Sequence, residues 1–138
     1  MGPRPTTPPT ATVVEIVTAD LAKALAFYRA LGLEVPDGAE DQPHVEVPLP
    51  GGNRLAFDTE ATITSFTANW TPPTGEGRLA LAFGYATPAD VDAAHAALTS
   101  AGAPSEREPF DAFWGQRYAT VRDPDGTHVD LFAALPAT

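Results

Sequence analysis

The chain has 138 residues, 43% hydrophobic and 19% charged, which is the composition of one folded domain and not of a disordered chain. Eight Lys and Arg stand against 18 Asp and Glu, a formal net charge of -10. Such a surface repels phosphate backbones, which excludes nucleic acid as a partner, and it suits solubility and cationic small molecules. There is no cysteine, so disulfides, thiolate metal sites and cysteine nucleophiles are excluded together.

Residues 1–11 hold four prolines in the first ten positions and read as a flexible Pro-rich arm. They have no apolar centre of the kind a secretory signal needs, and no apolar stretch approaches a membrane span. The expectation is a cytoplasmic protein without a membrane partner. Val13 to Val17 is β-branched between polar flanks and predicts a strand. Thr18 to Leu31 predicts a helix, capped by Thr18 or Asp20 and closed by Gly32, with Leu21, Ala24, Leu25, Tyr28 and Leu31 as its buried stripe. Leu33-Glu34-Val35 and a turn-rich stretch from Pro36 to Gln42 follow. His44 to Pro48 and Asn53 to Asp58 then predict two strands around Pro50-Gly51-Gly52.

The order recurs. Leu79 to Phe83 predicts a strand. Thr87-Pro88-Ala89-Asp90 opens a helix that runs to Gly102, with Thr as cap and Pro at its first position. Ser105 to Glu108, Arg117 to Arg122 and Thr127 to Ala133 predict strands, the last two joined by the Asp123-Pro124-Asp125-Gly126 turn. Asp20 to Gly32 spans 12 residues and so does Asp90 to Gly102, with the turn glycines Gly52 and Gly126 lying 20 and 24 residues further on. The chain therefore reads as an α+β protein of two βαβββ modules within a single domain, 12–138. Module 1 covers about 12–58, the connector 59–77 and module 2 about 78–133.

Ala19-Asp20-Leu21 followed by Ala26-Phe27-Tyr28-Arg29-Ala30-Leu31-Gly32 resembles the D-L-x-x-x-x-x-F-Y-x-x-L-G signature of the vicinal oxygen chelate superfamily. Asp123 to Leu131 resembles its D-P-D-G-x-x-x-E-L closing hairpin. Trp114-Gly115-Gln116-Arg117-Tyr118 resembles a stretch common in its bleomycin-resistance-like members. The likeness runs from Thr12 to Ala133. It implies a glyoxalase/bleomycin-resistance-type architecture, two half-barrels around a cleft. It also implies either a metal-dependent enzyme or a metal-free sequestering protein.

Alternation along strands assigns the faces. Val13, Glu15, Val17, Arg54, Ala56, Asp58, Ala80, Ala82, His128, Asp130 and Phe132 are expected in the cleft, with Leu79, Leu81 and Phe83 against a helix. The positions where the resemblance puts metal ligands read Val13, Ala56, Ala80 or Ala82, and Asp130. One carboxylate cannot hold a divalent cation, which takes three or more protein donors. A non-standard site would have to draw on Glu15, His44, Glu46, His128 and Asp130. As ordinary polar residues, these would pair with Arg54, Arg78 or Arg117. Ser65, Ser100 and Ser105 sit in no nucleophile elbow. His128 and Asp130 are the candidate catalytic pair, by spacing alone. His95 reads as a surface residue in the second helix.

Phe66 and Trp70 lie in the connector, beside the stiffening Pro72-Pro73. Phe110, Phe113 and Trp114 precede the penultimate strand, and Tyr118 lies on it. Flat aromatic walls stack on planar ligands, and acidic rims attract cations. The function expected is metal-free and cofactor-free sequestration of an aromatic, cationic natural product, of the antibiotic-resistance type. Phe66, Trp70, Phe113 and Trp114 would be its walls. Glu15, Tyr118, His128 and Asp130 would be its polar contacts, oriented by Arg54 or Arg117. The alternative is a lyase, isomerase or dioxygenase with an atypical metal. A third reading is a metal-free accessory protein that uses His128 and Asp130. Pairing as a homodimer is expected in each case.

Overall fold

Asp20 starts the first helix by accepting the Lys23 N–H at 3.1 Å, and Gly32 ends it at φ 115°, a left-handed conformation natural to glycine. The computed structural model describes residues 4–137. Helix α1 (Leu21–Leu31) buries the expected stripe and adds Phe27 to it. Strands β1 (Val13–Thr18), β2 (His44–Pro48) and β3 (Arg54–Thr59) form a sheet ordered β1-β3-β2, with β1 parallel and β2 antiparallel to β3. A short helix α2 (Glu60–Thr64), capped by Thr59, opens the connector.

The second module follows with β4 (Ala80–Gly84), α3 (Pro88–Ser100), β5 (Ser105–Ala112), β6 (Gln116–Arg122) and β7 (His128–Ala134). Its sheet is ordered β4-β7-β6-β5, with β4 parallel to β7 and the other pairs antiparallel. Thr87 caps α3 by accepting the Asp90 N–H at 3.2 Å, and Pro88 occupies the first turn, where no N–H is needed. The second module thus has all four strands and the first has three. Between α1 and β2, where the second module places β5, residues 33–43 run without strand pairing.

Helices α1 and α3 and both sheets share one core. The Tyr28 ring lies 5.1 Å from Phe57 of the first module and 6.4 Å from Phe83 of the second. Its hydroxyl donates to Asp123 at 2.8 Å. Asp123 also accepts the Asp125 and Thr127 N–H groups, both at 2.9 Å, and so closes the β6–β7 turn. Tyr85 donates to the Leu31 carbonyl at 2.6 Å, a second tie between modules. No helix among the described residues is long and apolar enough to cross a membrane.

Three expectations are corrected. Leu79 does not pack on a helix. It precedes β4 and is 83% exposed, because the strand starts one residue later. His95 is not a surface residue: it is 6% exposed and its ring pairs with Ser105 Oγ at 2.8 Å. The strand expected from Ser105 to Glu108 runs on to Ala112, which places Phe110 within β5.

Candidate functional site

Helices cover one face of each sheet, and the alternation of strands turns the other set of side chains to the open face. The pairing aligns these residues in rows. Glu15 sits beside Ala56, and Ala56 beside Glu46. Ala82 sits beside Asp130, and Asp130 beside Thr120. Ala80, His128 and Arg122 form a further row, as do Gly84, Phe132 and Tyr118. Glu15, Ala56, Ala80, Ala82, His128, Asp130 and Phe132, all expected in the cleft, stand in these rows.

Strands β1 and β4 are the edges of their sheets, and they meet across a pocket of about 500 Å³. Val14 to Val17 form one wall and Leu79 to Leu81 the other, with the connector from Trp70 to Arg78 and the turn Asp125 to His128 completing it. Glu15, Trp70 and His128 are thereby brought together. Four further charged groups line it: Glu60, Glu76, Asp125 and Arg78. A second, smaller pocket of about 380 Å³ lies on the helix side, between α1 and the end of α3. It contains none of the residues expected to bind ligand.

A second group lies further along the open face. Tyr118 packs edge-to-face against Trp114 at 5.3 Å and Phe110 at 6.2 Å, and Phe113 packs on Trp114 at 5.0 Å. Trp114 is oriented by its indole N–H, which donates to Gln116 at 2.8 Å. Asp130 accepts from the Tyr118 hydroxyl at 2.7 Å and the Thr120 hydroxyl at 2.8 Å. Burial, and then the bond to Asp130, push the Tyr118 hydroxyl up to about 12, so it stays a proton donor at neutral pH.

Two histidines each bridge two carboxylates. His44 Nδ1 lies 2.6 Å from Asp58 and its Nε2 lies 3.0 Å from Glu46. His128 Nδ1 lies 2.6 Å from Glu106 and its Nε2 lies 2.9 Å from Glu76. A neutral imidazole has one N–H, so only the imidazolium satisfies both carboxylates. The bonds to Asp58 and Glu46 raise the pKa of His44 above its ordinary value, and those to Glu76 and Glu106 raise that of His128. Arg54 joins the first cluster through Glu46 at 2.7 Å, and Arg122 joins the second through Glu106 at 2.6 Å.

Other expected site residues fall elsewhere. Arg117 points to the helix side, where it pairs with Asp92 and Asp111 at 3.0 Å each, because it alternates with Tyr118 along β6. It does not orient the cleft residues. Phe66 is 69% exposed and lines neither pocket. His128 and Asp130 share a face, but each is bonded to other partners and they form no dyad. Glu76, Glu106 and Arg122 are site residues that the sequence reading does not include, and Asp58, expected on this face, holds His44 there. Arg122 is legible in retrospect, since the hairpin around the Asp123–Gly126 turn sets it opposite His128. Glu76 sits in a loop whose sequence carries no pairing signal.

The residues do not fit the metal that the resemblance implies for the enzymes. Asp130 has alanine and threonine as row neighbours, and hydroxyl donors hold both its oxygens. It is a hydrogen-bond acceptor and not a metal ligand. Among the described residues no three His, Asp or Glu side chains are grouped so as to hold a metal ion.

Several solved structures are similar. A glyoxalase/bleomycin resistance protein/dioxygenase family enzyme from Burkholderia phytofirmans PsJN superposes with TM-score 0.76 at 19% identity, over 89% of this chain and 97% of that one. A glyoxalase/bleomycin resistance protein/dioxygenase from Nocardioides gives 0.71 at 25% identity, over 97% and 89%. A lactoylglutathione lyase from Agrobacterium tumefaciens gives 0.64 at 24% identity, over 92% and 96%. No curated protein matches the chain. The family model described as the Glyoxalase/Bleomycin resistance protein/Dioxygenase superfamily matches residues 10–131. With the paired modules, the signature along α1 and the closing hairpin between β6 and β7, this match establishes that the chain belongs to that superfamily.

Proposed function

We propose that the protein binds and sequesters an aromatic, cationic natural product, and that shape, stacking and charge hold the ligand without a metal. The observation that carries this reading is the pocket of about 500 Å³ between β1 and β4, with Trp70 in its wall and Glu15, Glu60 and Asp125 around it. That volume lies within the range of drug-sized ligand sites, about 300–1,000 Å³. An indole face attracts planar rings and cations. Among the nearby positive charges, His128 and Arg122 engage Glu76 and Glu106 and Arg54 engages Glu46, which leaves Arg78 in the wall against Glu15, Glu60 and Asp125. The aromatic group around Tyr118 extends the stacking surface along the open face.

The same reading includes a cytoplasmic homodimer. Phe113, 97% exposed, and Trp114 beside it are the apolar surface that pairing would cover. Native mass in solution tests the pairing.

The test of binding is a titration of the purified protein with bleomycin-type and planar aromatic antibiotics, followed by tryptophan fluorescence. A saturable change is expected for at least one compound. Trp70→Ala is expected to raise its Kd about tenfold, the equivalent of about 1.4 kcal/mol. Silence across a broad panel, or a stoichiometric metal that survives dialysis, overturns the reading.

A further inference from the structure

The connector between residues 68 and 79 has no regular structure. Among the described residues, its hydrogen bonds to the rest of the chain run through one side chain, Glu76. One Glu76 oxygen lies 2.9 Å from His128 Nε2, and both lie 3.2 Å from one Arg122 nitrogen. This hydrogen-bonded attachment belongs to a segment that supplies Trp70 and seven further residues, Pro72 to Arg78, to the pocket wall. We propose that the connector is a pH-sensitive strap over the pocket, fastened by Glu76 to the doubly protonated His128 ring and released when that ring loses a proton. This rests on the reading of the pocket as the ligand site and adds its regulation.

The charges around His128 decide which contact breaks. Arg122 faces it from β6, Glu106 from β5 and Glu76 from the connector, while Asp130 on its own strand is held by Tyr118 and Thr120. The pocket wall adds Glu15, Glu60, Asp125 and Arg78. With the ring protonated, two cations face two carboxylates in the cluster. With the ring neutral, Arg122 alone opposes both. Arg122 holds Glu106 through two contacts, at 2.6 and 3.0 Å, against 3.2 Å for Glu76. Glu76 is also the more exposed carboxylate, so water replaces its partners at the lower cost. The bond to His128 lowers the pKa of Glu76 below the ordinary carboxylate value. The strap therefore stays fastened from below that ordinary value to above the ordinary value of histidine, and it opens on either side.

Trp70 reports the strap. The full chain carrying Trp114→Phe leaves Trp70 as its one tryptophan. Its quenching by acrylamide, an uncharged probe, is measured without ligand at pH about 6 and about 9. Trp70 is expected to be shielded at the lower pH and several-fold more accessible at the higher. Adding Glu76→Gln, at an exposed position, is expected to leave it accessible at both, and His128→Gln likewise. Equal accessibility at the two pH values, or a rise that persists in the Glu76→Gln protein, overturns the strap. Since no ligand is present, that failure leaves the binding proposal standing. A sound pH response with no ligand bound would do the reverse.

Discussion

His44 and Tyr28 contrast what one side chain does at the surface and in the core. His44 is charged because two carboxylates demand both its protons. Its folded-state pKa lies above the unfolded value near 6.5. The stability it brings is therefore full below that unfolded value and is lost as pH rises through the folded one. Urea midpoints at pH about 6 and about 9 are expected to show this loss in the parent and a flatter profile in His44→Gln. Tyr28 was legible from helical spacing alone, since it completes the apolar stripe of α1. Its bond to Asp123, 95 residues away, was not, because no local pattern encodes it. His95 fails for the same reason: its burial depends on Ser105 of β5 and not on its own helix.

At the scale of the element, caps and turns were read correctly because their chemistry is local: Asp20 and Gly32 bound α1, and Thr87 and Pro88 open α3. The short helix α2 escaped notice inside a polar stretch, although Thr59 caps it in the same way. Alternation gave the strand faces, including Asp130 and His128 on the open side. It gave no partners, since Glu106 and Glu76 reach His128 from elements remote in sequence. Gly84 marks a close approach that only packing reveals. A Cβ there would lie 2.8 Å from Phe132 Cζ, so the ring lies over the glycine. Gly84→Ala is expected to displace that ring and cost about 1–3 kcal/mol, read from denaturant unfolding. Because Phe132 is paired with Tyr118, the same variant is expected to weaken ligand binding through the Tyr118 group. Unchanged stability and unchanged binding would contradict the packing described.

For the whole molecule, the repeat was visible in the sequence and the join between its halves was not. One core, tied by Tyr28, Phe57, Phe83 and Asp123, fixes the modules against each other, and this brings the edges of β1 and β4 to a common pocket. The aromatic residues were legible as a set, but they divide into two groups. Trp70 lies at the seam, while Phe110, Phe113, Trp114 and Tyr118 lie at the far end of the second sheet, and Phe66 joins neither. The proposal that the pocket retains its ligand by stacking and charge is tested most directly by native mass spectrometry of chelator-treated protein mixed with the compound that gives a fluorescence response. The account predicts a homodimer that carries the compound with no metal ion, and the same occupancy after Zn, Ni, Mn or Fe is added back. Occupancy that appears only once one of these metals has bound would contradict it.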